Sequence, residues 1–297
     1  MSKKILVIVN PASGKPQPIL HTLNKVFRGA DTDWDIALTK HSGDAERFAR
    51  QASENGYDVV AGFGGDGTVM EVARGLLGTN TPMGILPGGT ANLMSVELGI
   101  PKDLALAAGI IVNPESEVRF VDLGTVNDTY FALRIGMGFS AERVKSADRA
   151  LKDKYGKMAY SIGALKALTK LKKAEYRITL DGQTIVTQGI SCFIDNAGNL
   201  GKAGFSAAEN ISISDGLLDV ILIRDASYET YVSMSRVLTS FDPESSTFHH
   251  WQAREILIET NPPLTLNIDG EIVGQTPISV KVIPQAVRVM VSGSQTA

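Results

Sequence analysis

The stretch Ala61–Glu71, AGFGGDGTVME, sets Gly62, Gly64, Gly65 and Gly67 around Asp66. Before it, Tyr57–Ala61 (YDVVA) has the apolar run of a short buried strand; after it, Val69–Leu77 has the spacing of a helix. Glycines let backbone amides approach a bulky anion where a Cβ would obstruct. A strand, a glycine turn and a helix N-terminus together form an anion site, because the unpaired amides and the helix dipole point the same way. Phosphate is the expected guest.

Gly62, Gly64 and Gly67 fit the spacing GxGxxG of a dinucleotide turn. That reading also needs an acid at the end of the following strand to hold a ribose hydroxyl. Here the next strand, Pro82–Leu86, runs into a second glycine turn, Pro87-Gly88-Gly89-Thr90-Ala91-Asn92, with no acid. Asp66 would also repel a pyrophosphate unless a cation lay between them, so the loop points to a Mg²⁺-bound nucleoside triphosphate rather than NAD.

Upstream, Lys4–Val9 (KILVIV) reads as a buried strand ending in Asn10-Pro11-Ala12-Ser13-Gly14-Lys15. The Walker spacing fails, since it needs glycine at Val9 and a hydroxyl at Pro16, yet the polar groups fall where open α/β sheets bind ligands. Ile19–Arg28 and Asp44–Gln51 have helical spacing and Trp34–Leu38 alternates like a strand, so strand and helix alternate through Val112. The expectation is a doubly wound parallel sheet over residues 1–121. Asp31, Asp33 and Asp35 do not make a calcium loop, because Ile36 and Ser42 stand where glycine and glutamate are needed. The four histidines and Cys192 show no zinc spacing.

Beyond Val121 strands follow one another: Glu117–Val126, Tyr130–Met137, Ala174–Leu180, Gly189–Asn196, Leu218–Arg224, Glu255–Glu259, Leu264–Ile268, Ile278–Ile283 and Val287–Val291. Turn pairs such as Asn127-Asp128, Asp181-Gly182 and Asp269-Gly270 separate several of them. This predicts an antiparallel β-sandwich over 122–284, with a cleft between the two domains as the natural site.

At 297 residues the chain needs no covalent staples, and its single cysteine forms no internal disulfide, which suits a reducing, cytoplasmic compartment. Five apolar residues before Asn10 are too few for a signal core, and no apolar run reaches bilayer length. A net charge of −3 gives no general affinity for nucleic acid. The exception is Arg143–Lys173, where ten basic residues against Asp148 and Asp153 leave +8, interleaved with Tyr155, Tyr160, Leu165 and Leu168. It reads either as helices with a solvated basic face or as a contact for anionic lipid.

With these loops placed, the chain resembles the diacylglycerol kinase and sphingosine kinase superfamily, most of all its bacterial lipid kinases, over nearly its whole length. The carriers are NPASGK at Asn10–Lys15, Thr39 with Gly43-Asp44-Ala45, GGDGT at Gly64–Thr68 with Glu71, LPGGTAN at Leu86–Asn92, DGLLD at Asp215–Asp219 and NIDGE at Asn267–Glu271. The resemblance implies an ATP site from Asn10, Pro11, Ala12, Ser13, Gly14, Lys15, Thr39, Gly64, Gly65, Asp66, Gly67, Thr68, Val69, Met70, Glu71 and Thr90. It implies that Asp66 and Asp215 work through Mg²⁺, with main-chain oxygens of Ser212 and Leu217 completing the metal site, and that Asp269 or Glu271 supplies a general base for a lipid hydroxyl. It also implies that the last strand, within 285–297, returns to the first domain. The chain departs from the family at Leu93, where an acid often follows GTAN, and over Asn196–Glu209, which lacks a proline and part of a glycine run. A soluble kinase of the NAD kinase kind, or a catalytically silent nucleotide-binding regulator, are the competing expectations.

Overall fold

The computed structural model describes residues 2–14, 17–30, 32–127, 129–138, 172–198, 211–225 and 248–293. Of these, the residues up to Leu123 and from Pro284 onward form one compact unit, and those described between Gly124 and Ile283 form a second.

In the first unit β1 (Lys3–Val9) lies between β2 (Thr32–Leu38) and β3 (Val59–Gly64), all parallel, and β4 (Met83–Pro87) follows β3. Chain order 1-2-3-4 becomes spatial order 2-1-3-4. The winding therefore reverses between β1 and β3, and the crevice beyond the carboxyl ends of such strands is where open α/β sheets take ligands. β3 and β4 are buried along their whole length and β2 only alternates, as expected of central strands covered on both faces and an edge strand.

Helices α1 (Ile19–Phe27), α2 (Asp44–Glu54), α3 (Asp66–Gly75), α4 (Leu93–Glu97) and α5 (Leu104–Val112) connect the strands. α2 buries Ala45, Ala49 and Ala52 on one stripe. It crosses α3 closely, because a Cβ on Gly75 would come within 2.3 Å of the Glu46 carbonyl oxygen. α3 begins at Asp66, not Val69, so Asp66, Gly67 and Thr68 are its first turn. No helix among the described residues is long and apolar enough to cross a membrane.

The second unit is an antiparallel sandwich. One sheet has the order β12-β11-β10-β7-β14-β15, formed by Phe248–Ala253, Leu218–Ile223, Ser191–Asp195, Arg134–Met137, Thr265–Ile268 and Glu271–Gln275. The other contains β8 (Ala174–Leu180), β9 (Gln183–Gly189), β13 (Glu255–Asn261) and the start of β16 (Ile278–Val291), with β5 (Glu117–Val126) and β6 (Thr129–Phe131) beside β16. Alternate side chains fill the core: Tyr176 and Ile178 from one sheet pack with Ile135, Cys192, Ile194, Val220 and Leu222 from the other.

Three strand expectations change. Tyr130–Met137 divides into β6 and β7, because the amides of Ala132 and Leu133 turn aside to bond the Asp269 carboxylate. Ile278–Ile283 and Val287–Val291 join into a single fourteen-residue β16. β16 pairs β13 through Ile278–Lys281 and, parallel, β4 at Val289 and Met83.

Candidate active site

The loops that leave β1, β3 and β4 are tied to one another by backbone. Asn10 N–H donates to the Phe63 carbonyl at 3.0 Å, and Gly88 and Gly89 N–H donate to the Gly64 carbonyl at 2.8 and 3.1 Å. Asn10 Nδ2 donates to Thr68 Oγ1 at 3.0 Å while its Oδ1 accepts from Ala12 N–H, which curls the 10–14 loop over the start of α3. Such contacts leave little room for Cβ atoms. On Gly14, at φ +70, a Cβ would lie 1.8 Å from the Gly88 oxygen, and on Gly89 it would lie 2.6 Å from Gly65 Cα.

The glycines of the opening stretch therefore differ in purpose. A Cβ on Gly62 would press on Val72 at 3.1 Å and one on Gly64 would meet Thr68 at 2.5 Å, so these two serve the packing of strand against helix, not the approach of an anion. Gly67 is exposed, borders the cavity, and would place a Cβ within 4 Å of nothing.

A cavity of about 870 Å³ opens beyond the carboxyl ends of the strands. Asn10, Pro11, Ala12, Ser13, Gly14, Thr39, Gly65, Gly67, Thr68, Glu71 and Thr90, all named above as candidate site residues, line it. Gly64, Val69 and Met70 do not; they are buried, the last two on the packed face of α3. Lys15 lies outside the described residues. The lining also includes Lys40, His41, Ser42 and Gly89, which sequence reasoning missed. The signal was present, since Thr39-Lys40-His41-Ser42 leaves β2 in the same direction as the other loops.

Two carboxylates fix that neglected wall. Asp44 Oδ2 accepts from the N–H groups of Lys40 and His41, both at 2.9 Å, and its Oδ1 accepts from Arg47 at 2.7 Å. The Arg47 hydrogen bond, then the Lys40 and His41 amides, hold the Asp44 carboxyl well below the usual carboxylate range. Glu71 accepts from Ser42 Oγ at 3.2 Å and from Ala45 N–H at 3.1 Å. Asp66 is half-buried and does not line the cavity; its Oδ1 accepts from Leu93 N–H at 2.7 Å and caps α4.

Nucleotide chemistry suits this cavity. Its volume falls in the range of small-molecule sites, and the first-turn N–H groups of α3 have no helical carbonyl partner.

The remaining expected residues fall in the second unit, on two turns. Asp215 is exposed on a turn with Gly216 at φ +73, and its Oδ1 accepts from Leu217 N–H at 3.0 Å. One carboxylate with the carbonyls of Ser212 and Leu217 is the hard-oxygen donor type that Mg²⁺ prefers, so the donor set fits the ion. Among the described residues no three acidic, histidine or cysteine side chains cluster to hold a metal by themselves.

Asp269 and Gly270, at φ +46 and +99, form the hairpin turn joining β14 to β15. The Asp269 carboxylate accepts from Ala132, Leu133 and Arg134 N–H at 2.8, 3.0 and 2.8 Å, while Glu271 is exposed. Arg134 also holds the buried Asp195 in a bidentate pair; burial pushes the Asp195 carboxyl up and the guanidinium opposes that shift.

Known proteins share both units. Residues 4–126 match the family described as diacylglycerol kinase catalytic domain, and residues 134–291 match the YegS C-terminal NAD kinase beta sandwich-like domain. A Synechocystis protein of uncharacterised function is 32% identical over 270 residues, covering 87% of this chain, which spans 61% of that relative's length. The diacylglycerol kinase of Bacillus subtilis is 28% identical over 283 residues, covering 93% of this chain and 92% of that one. A crystal structure of a diacylglycerol kinase from Bacillus anthracis superposes with a TM-score of 0.75 at 26% identity over 97% of each chain; another structure from that organism reaches 0.80 at 28% identity, again over 97% of each. With both domains matched in the same order along its length, the chain belongs to the diacylglycerol kinase superfamily of lipid kinases.

Proposed function

We propose that the protein transfers the γ-phosphate of Mg-ATP to a hydroxyl of diacylglycerol or a related membrane lipid. The observation that carries this reading is the cavity beyond β1–β4, bordered by the first turn of α3 and the 10–14 loop, in a chain of this family. The amides of Gly67 and Thr68 take the phosphates, and Asn10–Gly14, Thr39 and Thr90 enclose the nucleotide. Mg²⁺, when bound, neutralises charge on the transferring phosphoryl group; Asp215, with the Ser212 and Leu217 carbonyls, would hold it.

Glu271 is the general base. Its exposed carboxylate is open to accept the lipid hydroxyl proton as the new phosphorus–oxygen bond forms and the bond to ADP breaks. Asp269, engaged by three backbone amides, orients the turn that carries Glu271. The basic segment, of which 143–171 lie outside the described residues, serves as a contact for anionic lipid. Vesicle binding should rise with anionic lipid and fall with salt; binding unaltered by Lys166, Lys170, Lys172 and Lys173→Gln removes that role.

The deciding assay supplies labelled Mg-ATP with diacylglycerol, monoacylglycerol, sphingosine, ceramide or phosphatidylglycerol in mixed micelles, and NAD without lipid. A labelled lipid that disappears in Asp66→Asn and Glu271→Gln supports the proposal. Label on NAD alone transfers the protein to the soluble kinases. ATP binding with no labelled product makes it a silent regulator.

A further inference from the structure

Parallel register places Leu38 of β2 and Phe63 of β3 on opposite sides of Val9. Neighbouring strands lie about 4.8 Å apart, so the loops that begin at Thr39 and Gly65 start at one level, roughly 10 Å from each other, with Asn10 between them. The phosphate end of a nucleotide belongs at Gly67 and Thr68, where the first-turn amides of α3 point outward. On the β4 side the Asn92 side chain bonds the Gly89 backbone in both directions, at 2.9 and 2.8 Å, and the Gly88 and Gly89 amides donate to Gly64, which holds that turn against the start of α3. On the β2 side, about two strand spacings from that phosphate end, the wall is Thr39, Lys40, His41 and Ser42, which is far enough away to meet the rest of the ligand.

This wall has no regular secondary structure of its own. Its shape comes from Asp44, whose Oδ2 gathers the amides of Lys40 and His41, and from Glu71, which takes Ser42 Oγ and the Ala45 amide. Asp44 itself does not line the cavity. Resting on the ATP-kinase reading above, we infer that the nucleoside end of the substrate lies against Thr39–Ser42, and that Asp44 is the positioning residue that shapes this wall. Because one oxygen serves both amides, asparagine can replace aspartate there with its carbonyl in the same place. Arg47 then loses its partner, but its guanidinium is half exposed and such a surface pair contributes little.

The test is calorimetric titration of the full chain with Mg-ATP and, separately, with Mg-tripolyphosphate, which can occupy only the phosphate end. Asp44→Ala should bind ATP about tenfold more weakly, the loss expected for one or two net hydrogen bonds, while tripolyphosphate affinity stays within about twofold. Asp44→Asn should stay within about threefold of the parent for both ligands. In turnover, Asp44→Ala should raise KM for ATP and leave kcat unchanged, because the reacting phosphate is held elsewhere. An equal loss for ATP and tripolyphosphate, or unaltered ATP binding in Asp44→Ala, overturns the inference. Parent protein that binds ATP but not tripolyphosphate overturns it too, since the cavity then has no separate phosphate end. Parent protein that does not bind ATP refutes the kinase reading instead.

Discussion

Asp269 and Glu271 lie two residues apart, and their surroundings divide the labour between them. Asp269→Asn can keep its oxygen toward Leu133 and Arg134, but then sets an amino group against the Ala132 N–H, leaving a donor unpaired at a residue only 4% exposed. We expect a stability loss of about 1–3 kcal/mol in urea unfolding. Glu271→Gln should leave unfolding within about 0.5 kcal/mol and cut turnover about 10²- to 10⁴-fold. The reverse pattern, a stable but inactive Asp269→Asn beside an active Glu271→Gln, would move the base to Asp269. Glycines divide in the same way. Gly64→Ala forces a Cβ into Thr68 and should cost about 1–3 kcal/mol. Gly67→Ala meets open space in a helical position, so it should gain up to about 1 kcal/mol in stability while weakening ATP binding.

At the scale of elements, β2 is an edge strand, paired among the described strands with β1 alone, and the chain entering β3 gives it a second tie: Tyr57 Oη donates to Asp35 Oδ2 at 2.6 Å. That hydrogen bond, and then partial burial, push the phenol up to about 12. A folded value above the unfolded one means stability that is complete below about pH 10 and lost as pH rises through about 12. Unfolding midpoints measured across that interval should fall in the parent with an added slope that Tyr57→Phe lacks; parallel curves would dissociate the tie from stability. The legible elements were those whose pattern is set by burial: β1 and β3 as apolar runs, β5 and β8 by their end residues. β9 (QTIVTQG), β12 (FHHWQA) and β15 (EIVGQ) went unread because polar residues interrupt the first two, and β15 is exposed along its whole length, so no buried face marks it. The cavity was legible where glycine and asparagine mark the backbone. It was not at Lys40 and His41, whose placement depends on hydrogen bonds that their amides donate to Asp44 and that no periodicity encodes.

At the scale of the molecule, two strands carry the chain through both units. β5 passes from Leu123 to Gly124, and β16 passes from Ile283 to Pro284. The second passage matters for stability, because Val287, Val289, Met290 and Val291 are all at most 5% exposed in the first unit. Gln285 N–H also donates to the buried Asp122 at 2.7 Å. Burying four such side chains contributes about 6–12 kcal/mol at the usual 1.5–3 for each, which is of the order of a whole domain's net stability of about 5–15 kcal/mol. The first unit is therefore not independent of the strand that begins at Pro284, although more than 150 residues separate Leu123 from Pro284 in sequence. A fragment of residues 1–123 should lack a cooperative unfolding transition and fail to bind ATP. The same fragment joined through a flexible linker to residues 284–297 should recover both, since the added strand can again pair with β4 beside Met83. If residues 1–123 alone unfold cooperatively, the burial contributed by β16 has been overestimated and the first unit is held together by its four leading strands.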